Sequence, residues 1–333
     1  MIRMLLIGYC YDIRSERRIC EEVHFNLAYR WFCKLGLEDE VPNHSSFSKN
    51  RHGRFREADL LRFVFDFVVQ QCHEQGLIKG EGFTTDASYV RADASWEPCA
   101  TSIAELLANH CQSRAVNEYL DALDNDPSLT PELKRISLTD PLSRWMQKGG
   151  PARFYYCTNY LIDIDHNIIL DVEATPTNRI LEVESSRKMI DRVEAKLAVK
   201  PKRLIADAAY GSGPMLDWII KQKGIEPRIP VWDKTGAKLE LLSIRDFIWD
   251  AEENVYICPE GIKLKPGKSR IKNQRVTITT DQTILYRARK SDCDACDKKM
   301  RCCPSTGPRK IARSIYEESR EVARNITQTA AYS

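Results

Sequence analysis

The sequence predicts a mixed α/β protein with three parts: an all-helical N-terminal region, a mixed-sheet core and a cysteine-bearing β insertion. Apolar residues recur at helical spacing through residues 1–78. Short β-rich runs alternate with amphipathic helical stretches from residue 80 to residue 231. Five of the 12 cysteines gather in a basic, β-rich segment that begins after residue 257.

Length and composition limit the class of protein. The chain has 333 residues, enough for two or three domains of ordinary size. Hydrophobic residues make up 43% and charged residues 29%, which excludes broad disorder. No run approaches the ~20 apolar residues of a membrane span, and the apolar start Met1–Gly8 lacks a small-residue cleavage site. We therefore expect a cytoplasmic protein whose scattered cysteines are buried thiols.

The predicted helical domain spans residues 1–78. Helices over Glu16–Glu22 and Leu27–Leu35 precede a break at Pro42, and a short basic helix follows over Ser48–Arg54. This order is typical of a helix-turn-helix DNA reader, although many all-helical domains share it. The segment from Asn43 to Arg56 holds no acids, and a solvated basic face is an equally good interpretation. The predicted DNA contacts are Lys49, Arg51, Arg54 and Arg56.

The predicted core spans residues 79–233, with a helical insertion at about 97–150. Its hairpin joins Tyr155–Ile164 to Ile168–Ala174, and an amphipathic helix follows over Leu181–Leu197. Short strands are predicted at Phe83–Ser88, Arg203–Asp207 and Glu226–Val231.

Two aspartates form the candidate catalytic site. Asp86 and Asp207 each end a short predicted strand, and small residues follow both of them. Strand ends of open α/β sheets are where ligand groups bind, and an uncovered carboxylate there can reach Mg²⁺. Two such ions ~3.5–4 Å apart activate a water in phosphodiester hydrolysis. Ordinary turn or cap aspartates are the alternative, but the two basic zones nearby favour the metal site.

The clustered cysteines predict a structural zinc site within a zinc-ribbon-like insertion over residues 234–308. Cys293 and Cys296 have the CxxC spacing that offers two thiolates to Zn²⁺. Cys258 is the predicted third ligand, and Cys302 or Cys303 is the predicted fourth. Surface cysteines without metal are the alternative, since no thioredoxin-like βαβ unit supports a redox motif. From Gly261 to Arg313 there are 15 Lys and Arg against 4 Asp, which indicates a polyanionic partner.

Six segments carry a resemblance to bacterial insertion-sequence transposases. The N-terminal strings CEEVHFNLAYRWF (Cys20–Phe32) and VPNHSSFSKNR (Val41–Arg51) resemble the N-terminal domain of that family. TDASYVRADA (Thr85–Ala94) and DAAYGS (Asp207–Ser212) resemble the segments that hold its first two catalytic aspartates. NYLID from Asn159 and DVEAT from Asp171 are similar to the hairpin between them. The resemblance is collinear over nearly the whole chain.

The resemblance implies an RNase H-like core, a DDE metal triad and Mg²⁺ or Mn²⁺ as cofactor. Asp86 and Asp207 would be the first two members of the triad. The implied partners are double-stranded DNA, at transposon ends and at the target, and further copies of the chain in a homo-oligomer. Cleavage at the transposon end would be followed by attack of the freed 3′-hydroxyl on target DNA.

The third carboxylate is where the chain departs from the family. The family's catalytic Glu follows the last segment that matches, so we expect a chain truncated at both ends, with residues 309–333 beginning a C-terminal helical part. Glu317 imitates the local spacing, but we expect it on a solvated face of a helix over Ala312–Ala323. The leading hypothesis is a DNA transposase with reduced or absent catalysis. The alternatives are a non-catalytic protein that binds transposon ends and a metal-dependent nuclease unrelated to transposition.

Overall fold

The computed structural model describes residues 1–53, 55, 58–95, 99–110, 113–125, 135–231, 241–267, 276–305 and 307–329. The chain divides into two compact units, Met1–Leu77 and Ile78–Ser333.

The first unit is helical. Its described helices are α1 (Ile2–Cys10), α2 (Glu16–Phe25), α3 (Leu27–Cys33), α4 (His44–His52) and α5 (Leu60–Glu74). Side chains of Ser15, Asn26 and Asn43 cap α2, α3 and α4 by accepting backbone N–H groups. The cap at Asn43 explains why the basic helix begins four residues before Ser48, where we expected it. The core of this first unit is formed by Met4, Leu5, Ile7, Ile13, Ile19, Val23, Phe47 and Phe55.

A buried arginine shapes the connection between α3 and α4. Arg30 is 4% exposed, and its guanidinium donates to the carbonyl oxygens of Gly36, Leu37 and Asp39. Lys34 adopts a left-handed conformation and ends α3. These bonds fold the chain back ahead of the basic helix.

The second unit contains a six-stranded mixed sheet. Its described strands are β1 (Gly82–Arg91), β4 (Arg144–Met146), β5 (Arg153–Asp163), β6 (Ile169–Pro176), β7 (Arg203–Ile205) and β8 (Glu226–Arg228), while β2 (Cys99–Ala100) and β3 (Ile136–Ser137) form a separate pair. The strand order is β4-β5-β1-β7-β8, and β6 also pairs with β5. The β1–β5 and β5–β6 pairs are antiparallel, whereas β1–β7 and β7–β8 are parallel. The mixed α/β class expected from the sequence is confirmed.

Four described helices accompany this sheet: α6 (Ile103–His110), α7 (Arg114–Asn125), α8 (Arg179–Leu197) and α9 (Gly213–Asp217). A single π-helical turn, Trp218–Gln222, continues α9. Helices α6 and α7 share a small core with β2 and β3, built on Leu106, Tyr119 and Ile136. The insertion expected to be helical at about 97–150 also contains strands, because β3 pairs with β2 and β4 pairs with the start of β5. Strand partners distant in sequence override the local helical pattern there.

A second sheet follows in the chain. Strands β9 (Ile248–Asp250), β10 (Val255–Ile257), β11 (Lys263–Pro266), β12 (Thr283–Arg287) and β13 (Lys310–Ser314) form an antiparallel meander in chain order. Two short helices, α10 (Lys290–Asp294) and α11 (Lys299–Cys302), lie between β12 and β13. Helix α12 (Glu317–Thr327) comes last.

The last strand corrects two expectations. Residues 312–314 belong to β13, whose alternating burial and pairing with β12 rule out the helix expected from Ala312. This sheet also continues past residue 308, where we expected the insertion to end. None of the helices that the structure describes is long and apolar enough to cross a bilayer.

Candidate metal site and surrounding residues

The register between β1 and β7 places the two candidate aspartates at equivalent positions after the last pair of their ladder. Thr84 pairs with Ile205 in the parallel ladder. Asp86 and Asp207 each lie two residues beyond that pair, so they stand at the same level along the two chains. Asp207 then caps a 3₁₀ turn, Ala208–Tyr210.

We had expected Asp86 to end its strand, but it does not. Strand β1 continues to Arg91 because β5 pairs with it along its whole length, with Asp86 opposite Tyr160. The parallel pairing with β7 stops at Thr84. Asp86 therefore lies where β1 loses its partner on one side, and this leaves an opening at that edge.

Both carboxylates are exposed and only partly engaged. Oδ1 of Asp86 accepts the N–H of Ala87 at 2.7 Å, and Oδ1 of Asp207 accepts the N–H of Ala209 at 2.7 Å. Within the described part of the chain, neither Oδ2 has a hydrogen bond or ion pair. Exposed carboxylate oxygens of this kind suit Mg²⁺ or Mn²⁺, which retain several waters when bound by one or two carboxylates.

Four further side chains share the electrostatic environment of the aspartates. Burial raises the pKa of Cys157 to about 11, with further contributions from Glu182 and Asp86, while Lys148 acts in the opposite direction. Burial, and then Glu182 and Asp207 among other groups, raises the pKa of Tyr89. The Lys148 ammonium lies 3.8 Å from the centroid of the Tyr89 ring. We did not anticipate Glu182 or Lys148, since neither belongs to a sequence motif.

Glu317 occupies a different environment. It is 8% exposed, not on the solvated face that we had expected. Its Oε2 pairs with Arg320 at 2.9 Å and its Oε1 with Arg324 at 2.8 Å. Both oxygens are therefore held by guanidinium groups, and the residue joins the turns of α12 beside a cavity of about 710 Å³.

The five C-terminal cysteines line one small cavity of about 30 Å³: Cys258, Cys293, Cys296, Cys302 and Cys303. Burial raises the pKa of Cys302 to about 11, and it also raises the pKa of Cys293. The Cys258 sulfur accepts the N–H of Ile262 at 3.3 Å. Among the residues described, no three His, Cys, Asp or Glu side chains are arranged to hold a metal ion. The zinc site thus stays a prediction.

The predicted DNA contacts fall partly within the described residues. Lys49 and Arg51 are exposed on α4, but side chains two residues apart on a helix do not face the same way. Arg51 also pairs with Glu16 of α2 at 3.1 Å. Arg54 and Arg56 lie outside the described residues. In the second basic zone, Lys263 pairs with Glu253, and the basic residues from 268 to 275 are likewise outside them.

Comparison with known proteins identifies one part of the chain. Residues 1–53 match the family model described as Transposase domain (DUF772). The match includes the helices α1 to α4 and indicates a transposase-related protein. No curated protein and no solved structure matches the chain.

Proposed function

We propose that the chain is a DNA transposase whose second unit is an RNase H-like core, with Asp86 and Asp207 as metal-binding carboxylates. The observation that carries the proposal is the parallel register, in which Thr84 and Ile205 pair two residues before the aspartates. The transposase domain at residues 1–53 supports it independently. An antiparallel half continued by two parallel strands is also compatible with the RNase H-like core that the resemblance predicts.

The chemistry follows from the exposed carboxylates. Bound Mg²⁺ or Mn²⁺ would lower the pKa of a coordinated water and neutralise charge on a DNA phosphate. Asp86 and Asp207 would bind and orient the ion through their Oδ2 atoms, since each Oδ1 is fixed by a backbone N–H. Lys148, exposed beside Tyr89, would contact a DNA phosphate at the same edge.

A second candidate function is binding of transposon ends without cleavage. It is favoured by the engagement of Glu317, because both oxygens of that carboxylate are paired with arginines and it supplies no third metal ligand. DNA binding would then depend on the helical unit and on its exposed Lys49. Proteins of either function would bind DNA with an affinity that falls steeply with salt.

Mn²⁺-dependent nicking of DNA that carries the element's ends separates these functions. Asp86→Asn and Asp207→Asn should each abolish nicking, whereas Asp93→Asn should not, because Asp93 is exposed and lies beyond β1. Nicking that survives in both variants would refute the assignment of the aspartates. Salt-sensitive binding without nicking in the unaltered chain would favour the second function.

A further inference from the structure

Buried hydroxyl groups lie close in the chain to both aspartates. Tyr210 and Ser186 are fully buried and Thr85 is 1% exposed. The Tyr210 hydroxyl donates to Oε1 of Glu182 at 3.1 Å. The Thr85 and Ser186 hydroxyls are 2.8 Å apart, and Ser186 and Thr85 both act on the pKa of Tyr210 in the lowering direction.

The positions of these residues connect both aspartates to one helix. Thr85 immediately precedes Asp86 in β1, and Tyr210 ends the 3₁₀ turn that Asp207 caps. Glu182 and Ser186 are four residues apart on α8, so they lie on the same face of that helix. The Tyr210–Glu182 and Thr85–Ser186 hydrogen bonds thereby join the chain on either side of the opening to a single helix.

The sheet alone does not supply this connection. The last pair of the β1–β7 ladder is Thr84 with Ile205, so no ladder hydrogen bond spans the level of the aspartates. Buried polar networks whose members are all satisfied rigidify a structure, and residues behind metal ligands orient those ligands.

We propose that Tyr210 is a positioning residue: its hydrogen bond to Glu182 holds the Asp207 side to α8, the helix whose Ser186 holds Thr85 beside Asp86, and this fixes the separation of the two aspartates. The consequence for metal binding rests on the proposed function, whereas the consequence for the backbone does not. Burial, followed by Glu182, raises the pKa of Tyr210, so the phenol stays protonated and can donate to Glu182. Tyr210 itself touches no substrate in this scheme.

Amide hydrogen exchange tests the backbone consequence. Tyr210→Phe keeps the ring and removes the hydroxyl, so peptides covering residues 83–90 and 205–212 should exchange about two- to tenfold faster. The matched control is Tyr286→Phe, which removes another buried tyrosine hydroxyl, bonded to Asn254 at 2.6 Å in the second sheet. Exchange in Tyr210→Phe that equals that of the unaltered chain at both segments would overturn the proposal.

Mn²⁺ binding, followed by water-proton relaxation, tests the consequence for the metal. Tyr210→Phe should weaken binding by about two- to tenfold, and Glu182→Gln should retain most of the affinity because its amide oxygen still accepts the Tyr210 hydroxyl. Unweakened binding in Tyr210→Phe would overturn the positioning role. The proposed function fails if the unaltered chain does not bind Mn²⁺, or if Asp86→Ala leaves that binding unchanged. The exchange experiment then still decides the role of Tyr210.

Discussion

Replacement of Arg192 by Met should destabilise the second unit strongly, although the site is not in the core. Arg192 lies on α8, the helix that carries Glu182 and Ser186. Its Nε is 2.7 Å from Oδ2 of Asp171, and its Nη2 is 2.7 Å from Oε2 of Glu173. Both acids are on β6, so this arginine fastens α8 to the sheet.

The expected cost follows from the burial of each partner. The Asp171 side chain is 1% exposed, and removal of one partner from a fully buried pair costs about 3–5 kcal/mol. Arg192 is 33% exposed, and Glu173 is 29% exposed and can be rehydrated, so solvent screening reduces the loss. We therefore expect about 2–4 kcal/mol. Methionine retains most of the aliphatic stem, which limits the contribution of lost packing.

Urea unfolding, monitored by tryptophan fluorescence, measures this loss. The control is Lys188→Met on the same helix, since Lys188 is exposed and should cost less than about 0.5 kcal/mol. Asp171→Asn combined with Arg192→Met should recover part of the stability, because no buried charge is then left unpaired. The reasoning is refuted if Arg192→Met is as mild as Lys188→Met, or if the double variant is less stable than Arg192→Met alone.

Three other predictions concern the cysteines and Glu317. Metal analysis of the purified chain should find zinc, and Cys258→Ser should reduce its amount whereas Cys10→Ser should not. Zinc binding should weaken as pH falls, because protons compete for thiols such as Cys302, whose pKa burial raises to about 11. A chain without zinc would refute the site. Burial raises the pKa of Cys157 from 9.0 to about 11, so the stability that this thiol contributes is present below pH 9 and is lost as pH rises through 11. The free energy of unfolding of Cys157→Ala should not show this loss. Glu317→Gln should lower the free energy of unfolding by about 1–3 kcal/mol and leave Mn²⁺ binding intact, and reduced Mn²⁺ binding would return Glu317 to the metal site.

Local patterns predicted the elements well where local chemistry determines them. The N-caps Ser15 and Asn26 fix the starts of α2 and α3, and the hairpin of β5 and β6 is continuous in sequence. The two aspartates could be selected for the same reason, since an Asp at the end of a short predicted strand, followed by small residues, is a local feature. Each of these predictions required only neighbouring residues.

Distant pairing produced the errors. Residues 144–146 form a strand because the start of β5 pairs with them. Residues 310–314 form a strand because they pair with β12, from which two short helices separate them in the chain. Glu317 also shares its cavity with Trp249 and Tyr256, which are distant in the sequence, although the arginines that pair with it lie one and two turns further along α12. No periodicity within these segments contains that information.

Strand β1 has a long partner, β5, and a short partner, β7, and this difference explains both the exposure of Asp86 and the need for Tyr210. Pairing with β5 along all of β1 keeps Asp86 in a regular strand, whereas pairing with β7 that stops at Thr84 leaves its carboxylate uncovered. Because the β1–β7 ladder ends at Thr84 and Ile205, no ladder hydrogen bonds hold Asp207 beside Asp86. Side-chain contacts from α8 to Tyr210 replace those bonds, and the position of α8 depends in turn on Arg192 and β6. The exposure of the Asp86 carboxylate and the reliance on a buried hydrogen-bond network are therefore two consequences of a single feature of the sheet.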